Sequence, residues 1–175
     1  THFGHRNIIR YCKRPFASVQ EMDDTLIHNW NARIGKNDIV YHLADFTLAG
    51  RAQAQGWFRR LQGRIRVLGL PWHHDKGWCP RDSGPSDFRS AGGQAVEILP
   101  PLVILKLHDG HEKRTITLSH YPMAEWEKGH HGGWHLHGHS HGNHQGLGSR
   151  MDVGVDPQGY RPVALEELAA LMPPP

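Results

Sequence analysis

Seven of the chain's sixteen histidines fall between His130 and His144, and that run contains Gly138-His139-Ser140-His141. Imidazole is the commonest metal-binding side chain near neutral pH and the usual general acid or base there. In extended geometry residues i and i+2 share a face, so a strand through this segment would aim His139 and His141 the same way. Further donors lie upstream: His2, Asp45 after an apolar run, His73-His74-Asp75, and Ser119-His120. The last three groups each end or closely follow a strand-like stretch. A mixed imidazole and carboxylate set at strand ends suits a transition-metal hydrolase centre.

Periodicity and punctuation predict the elements that must position these donors. Ser18-Val19-Gln20-Glu21 fits a capping box. Val19, Met22, Leu26 and Trp30 then recur at helical spacing, with Gly35 as the stop. Residues 38–43 read as a buried strand that delivers Asp45 at its exit. A helix is predicted over 50–61, stopped by Gly63, and a strand over 64–70. Residues 71–93, rich in Gly, Pro, Asp and Ser, predict one long loop, and loops above about 12–15 residues are usually functional or disordered. Strands are predicted over 96–99, 102–107 and 114–118, the last two joined by a turn at Asp109-Gly110. Short strands over 134–138 and 151–155 and a helix over 164–172 follow. Strands alternating with helices, then a meander of strands, predict a mixed α/β layered domain.

At 175 residues the chain has the length of one domain with a real core. Its formal net charge is only +3, with Lys and Arg scattered rather than striped, so nothing supports a nucleic-acid partner. No apolar run approaches the roughly 18 residues that span a membrane, and no membrane partner is predicted. Two cysteines, Cys12 and Cys79, make neither a disulfide framework nor a Cys-type zinc site. A reducing cytoplasm is the expected setting. Oligomeric state leaves no mark on the sequence.

In this order the pieces resemble the calcineurin-like metallophosphoesterase superfamily, in its small bacterial and phage branch. That pattern runs Asp-x-His, Gly-Asp, Gly-Asn-His-Asp, a lone His, then Gly-His-x-His. Its counterparts here are Thr1-His2, Ala44-Asp45, His73-His74-Asp75, Ser119-His120 and Gly138-His139-Ser140-His141. The opening Thr-His-Phe-Gly-His, Asn29-Trp30-Asn31 and Tyr41-His42-Leu43-Ala44-Asp45-Phe46 point to the branch. The resemblance implies a single metallophosphoesterase domain over 1–175 with a four-layer αββα sandwich: two mixed sheets flanked by helices, metals at the strand-end loops. It implies two divalent transition-metal ions, manganese first, with nickel, iron or zinc as alternatives. His2, Asp45 and His141 would hold one ion, and Asp45, His120 and His139 the other, with Asp45 bridging. His73 stands where the family has an Asn ligand, His74 where it has its catalytic histidine, and His5 falls near the substrate phosphate.

The implied reaction is hydrolysis of a phosphodiester, either a small ester or a nucleotide, by a hydroxide held between the ions. His74 would donate a hydrogen bond to the phosphoryl oxygens or a proton to the leaving alkoxide, and the shared carboxylate would offset repulsion between two cations. The sequence departs from the pattern in three places. The family's first aspartate and its strand would precede Thr1; Ala44 replaces a glycine; and Gly69-Leu70-Pro71-Trp72-His73-His74-Asp75 replaces the simple Gly-Asn-His-Asp. Phosphomonoesterase and nuclease are the alternatives within the family. A non-catalytic histidine-rich metal-binding protein is the alternative outside it, with 130–144 as a flexible chelator. On the main reading His130, His131, His135, His137 and His144 are exposed, with His135 and His137 alternatively backing the site. His28, His42, His108 and His111 read as structural or surface residues, and Trp30, Trp57 and Trp126 as core. Trp72 and Trp78 are candidates to line a substrate cleft.

Overall fold

The computed structural model describes residues 1–108, 113–144 and 148–172, so the predicted Asp109-Gly110 turn and His111 lie outside the described residues. The chain divides into two compact units, Thr1–Pro100 and Pro101–Pro175. It is an α/β protein with two mixed four-stranded sheets and helices, the class expected from the sequence.

The first unit runs α1 (Arg6–Tyr11), α2 (Val19–Asn31), β1 (Ile39–His42), α3 (Arg51–Phe58), β2 (Arg64–Leu68), a 3₁₀ turn (His74–Gly77), β3 (Gly84–Arg89) and β4 (Ala95–Leu99). Its sheet has the order β1-β2-β4-β3, with β1, β2 and β4 parallel and β3 antiparallel at the edge. The α2 cap forms much as predicted: Ser18 Oγ accepts from Glu21 N–H at 3.1 Å. The reciprocal bond shifts back one residue, Glu21 accepting from Ala17 N–H at 2.7 Å. The helix buries Met22, Leu26, Ile27 and Trp30. It ends at Asn31, four residues before Gly35; the Asn31 amide ties its last turn to the Arg60 carbonyl at 2.8 Å.

Residues 71–93 are not one loop, because they hold the 3₁₀ turn and β3. Gly84, Pro85, Ser86 and Asp87 are poor strand formers. An edge position tolerates the proline, and Ser86 Oγ donates to the Val96 carbonyl at 2.6 Å to hold it there.

The second unit runs β5 (Leu102–His108), β6 (Lys113–Ser119), a 3₁₀ turn (Gly129–His131), β7 (Trp134–His137), β8 (Arg150–Asp152) and α4 (Leu165–Leu171). The predicted meander is not formed. β4 and β5, separated by Pro100-Pro101, belong to different sheets, and only β5 and β6 pair antiparallel. β6, β7 and β8 are parallel neighbours. Among the described residues no helix is long and apolar enough to cross a membrane.

Candidate metal centre

Parallel neighbours end at the same sheet edge, which is where ligands collect in open α/β sheets. In the first unit β1 delivers Asp45 and β2 delivers His73 and His74. The chain start lies alongside this exit: His2 N–H donates to the Asp45 carbonyl at 2.9 Å, and Phe3 pairs with Thr47. The two carboxylate oxygens of Asp45 face different histidines. Oδ2 is 3.5 Å from His2 Nε2, and Oδ1 is 2.8 Å from His73 Nδ1. His2, Asp45 and His74 each offer a ligand atom, and these atoms all lie within 4.8 Å of one another. Two imidazoles and a carboxylate so placed fit a divalent transition ion. The His5 ring lies 5.8 Å from His2 and 6.2 Å from His74 between centroids. Burial pushes the His5 pKa down, Arg14 adds to this, and Asp45 opposes it.

Backbone strain concentrates at the expected ligands of both units. Of eight non-glycine residues with positive φ among those described, four are expected ligands: His2 (60°), Asp45 (53°), His139 (64°) and His141 (49°). Ala44, where the resemblance has glycine, adopts φ 67°. Each left-handed residue costs about 1–3 kcal/mol and persists only where its surroundings enforce it. In the first unit buried carboxylates supply the enforcement. Asp75 Oδ1 accepts from the N–H groups of Phe46 at 2.8 Å and Thr47 at 3.0 Å, and from Trp78 Nε1 at 2.9 Å. Asp23 accepts from Gly4 N–H at 3.0 Å. Gly4 has φ 71°, and a Cβ there would meet Trp57 at 2.8 Å. Phe46, next to Asp45, is fully buried and stacks on Phe58 at 4.1 Å. Trp78 packs edge-on against both and is 3% exposed. It is core, not cleft lining, because its indole N–H is used by Asp75. Trp72 is 65% exposed.

In the second unit β6 and β7 deliver His120 and His139 to one edge, with ring centroids 5.0 Å apart. Tyr121 stacks edge-on against both rings. The extended geometry expected for Gly138-His139-Ser140-His141 is not adopted. β7 ends at His137, and both histidines turn left-handed. They therefore diverge: His139 meets His120, while His141 Nδ1 lies 2.7 Å from Asp156 Oδ2.

His135 and His137 are 0% and 1% exposed, which corrects their reading as surface residues. Their ring Nδ1 atoms pair with the carbonyls of Thr117 and Gly138, so strand residues occupy the middle of the proposed chelator. His42 is a buried structural residue, its Nε2 3.2 Å from Thr1 Oγ1. Trp30 is buried, whereas Trp57 and Trp126 are half-buried.

The sequence reading missed the anchoring carboxylates Asp23, Asp75, Asp152 and Asp156. Asp75 alone carried a signal, as the last residue of the motif it closes. The others sit far along the chain from what they hold, with no spacing to mark them.

The fold and this site define an α/β protein with histidine and aspartate clusters at parallel strand ends. No family model matches the chain. It is 30% identical over 181 residues to the uncharacterized protein MJ1445 of Methanocaldococcus jannaschii, covering 98% of this chain and 87% of that one, and it belongs to the same family. It is 26% identical over 157 residues to the Gene 66 protein of Mycobacterium phage L5, covering 80% and 73% of the two chains. A solved structure, the protein of unknown function AQ665 from Aquifex aeolicus, has a similar fold. The TM-score is 0.63 at 19% identity, over 98% of this chain and 95% of that one.

Proposed function

We propose that the protein is a metal-dependent phosphoesterase that hydrolyses phosphodiesters, small esters or nucleotides, at a centre of two divalent transition-metal ions with Asp45 between them. The observation that carries this reading is Asp45, which turns Oδ2 toward His2 and Oδ1 toward His73. On this reading the metal ligands are His2, Asp45 and His73 in the first unit and His120, His139 and His141 in the second. Manganese, nickel, iron and zinc all suit such imidazole-rich donors. When bound, the ions would supply Lewis acidity toward the phosphoryl oxygens and lower the pKa of the attacking water.

The chain's own residues do the rest. Asp45 holds the charge balance through both of its oxygens. His74, whose ring contacts His2 at 5.2 Å between centroids, gives a proton to the departing alkoxide. His5, whose pKa burial pushes down, offers an N–H to a phosphoryl oxygen. A cytoplasmic setting belongs to the same reading, since two cysteines are too few for a disulfide framework.

Manganese-loaded protein should release nitrophenolate from bis-p-nitrophenyl phosphate, and Asp45→Ala should abolish this. His74→Ala should lose roughly 10²–10⁴-fold on a dinucleotide, whose alkoxide needs the proton, and less on the nitrophenyl ester. Tight metal binding without turnover on either substrate would leave only a binding scaffold. Metal binding undiminished by Asp45→Ala would favour the chelator.

A further inference from the structure

We infer that Asp156 is a positioning residue for His141: its carboxylate fixes the imidazole as the tautomer whose Nε2 binds a metal. The inference rests on the ligand role proposed for His141. His141 Nδ1 and Asp156 Oδ2 are 2.7 Å apart, with the two side chains 20% and 9% exposed. A carboxylate only accepts hydrogen bonds, so Nδ1 carries the proton, and in the neutral ring the lone pair then lies on Nε2. A carboxylate behind a ligating histidine fixes ring orientation and raises ligand basicity. The contrast with the neighbouring strand supports a specific purpose. His135 and His137, which match no ligand position, have carbonyls of Thr117 and Gly138 against Nδ1. His141 has an anion instead.

Asp156 is itself held. Val153 N–H donates to the His137 carbonyl at 2.8 Å, tying the β8 exit to the β7 exit. Gln158 Nε2 donates to the Asp152 carbonyl at 3.0 Å, and Tyr160 N–H to the Val155 carbonyl at 2.8 Å, closing the turn around Asp156. Asp152 grips the opposite loop on both sides of His141. Its Oδ2 accepts from Ser140 Oγ at 3.0 Å and Gly142 N–H at 2.8 Å, while Oδ1 accepts from Gly154 N–H at 2.8 Å. One strand exit therefore sets both the left-handed backbone at His141 and the rotation of its ring.

The test compares the full-length wild type with Asp156→Ala and Asp156→Asn. Two readouts are used: ¹⁵N NMR of the His141 ring in metal-free protein, and calorimetric titration with Mn²⁺. Wild type should show one Nδ1–H tautomer. Asp156→Ala should shift the ring toward Nε2–H and weaken one Mn²⁺ site about 10–100-fold. Asp156→Asn, whose amide oxygen still accepts, should lose less, and it carries the test if the alanine variant misfolds. If the variants bind Mn²⁺ as tightly as wild type, or merely melt earlier with the tautomer and affinity unchanged, the inference is overturned while the phosphoesterase reading stands. Wild type that binds none of Mn²⁺, Ni²⁺, Fe²⁺ and Zn²⁺ overturns both.

Discussion

At the residue scale the candidate ligands sit on strained backbone beside acceptors that restrain it. His2, Ala44, Asp45, His139 and His141 all hold left-handed backbone that glycine would adopt more cheaply. Asp75 shows how this is maintained: one oxygen takes three donors, two of them the N–H groups that follow Asp45. Its Oδ2 has no hydrogen-bond partner among the described residues. Burial raises the Asp75 pKa to about 6; the bonds from Thr47 and Trp78 oppose this, and the charge of Asp45 adds to it. Asp75→Ala would strand three buried donors, each worth about 1–3 kcal/mol. It should lower the denaturant midpoint severely, whereas Asp75→Asn, with an oxygen still at the accepting position, should lose far less. Equal midpoints for the two variants would mean that the carboxylate is not the anchor described.

At the element scale parallel pairing does the positioning. β1 beside β2, and β6 beside β7, put histidine- and aspartate-bearing loops at a common edge within each unit. β7 also carries a pH-sensitive residue outside the ligand set. His135 accepts from Met123 N–H through Nε2 at 3.1 Å, and its Nδ1 lies 3.1 Å from the Thr117 carbonyl. That pairing belongs to the neutral Nδ1–H tautomer. Burial is the main reason its pKa lies below 6.5. Below 6.5 the unfolded chain takes up a proton that the folded chain refuses, so stability is complete above that value and falls as the medium is acidified. Thermal melts of His135→Leu should start lower near neutrality yet fall less between about pH 7.5 and 5.5 than wild type. A parallel decline would assign the acid sensitivity elsewhere.

At the scale of the whole molecule, an ion held only by the folded chain would link metal binding to folding. An ion that binds only the folded chain at about 100 times its Kd adds about 2.7 kcal/mol, or roughly 5–10 °C in Tm for a chain of this size. Manganese against a chelator should produce that shift in wild type and not in Asp45→Ala; identical melts would remove the metal from the fold's energetics. The family relationship reaches the same scale, since it spans 98% of the chain. Much of the architecture was legible. The helices around Met22–Trp30 and Ala54–Phe58 and the strands at 39–42, 64–68 and 95–99 announce themselves by period and by apolar runs. β3 did not, because Gly, Pro, Ser and Asp there obey an edge position rather than a propensity. Parallel pairing of β6, β7 and β8 was illegible too, since it depends on partners distant in the chain.

The amino-acid order by itself determined which side chains could offer lone pairs to a metal and which of them follow strands. That information is local, carried by residue type, spacing and alternation. Tertiary structure alone decided that His139 and His141 diverge, that Asp45 divides its oxygens between His2 and His73, and that Asp23, Asp75, Asp152 and Asp156 hold the loops. Those outcomes depend on left-handed dihedrals and on contacts between residues far apart in the chain, as Asp45 is from His2 and Phe46 from Asp75. A one-dimensional pattern has no term for contacts of that kind.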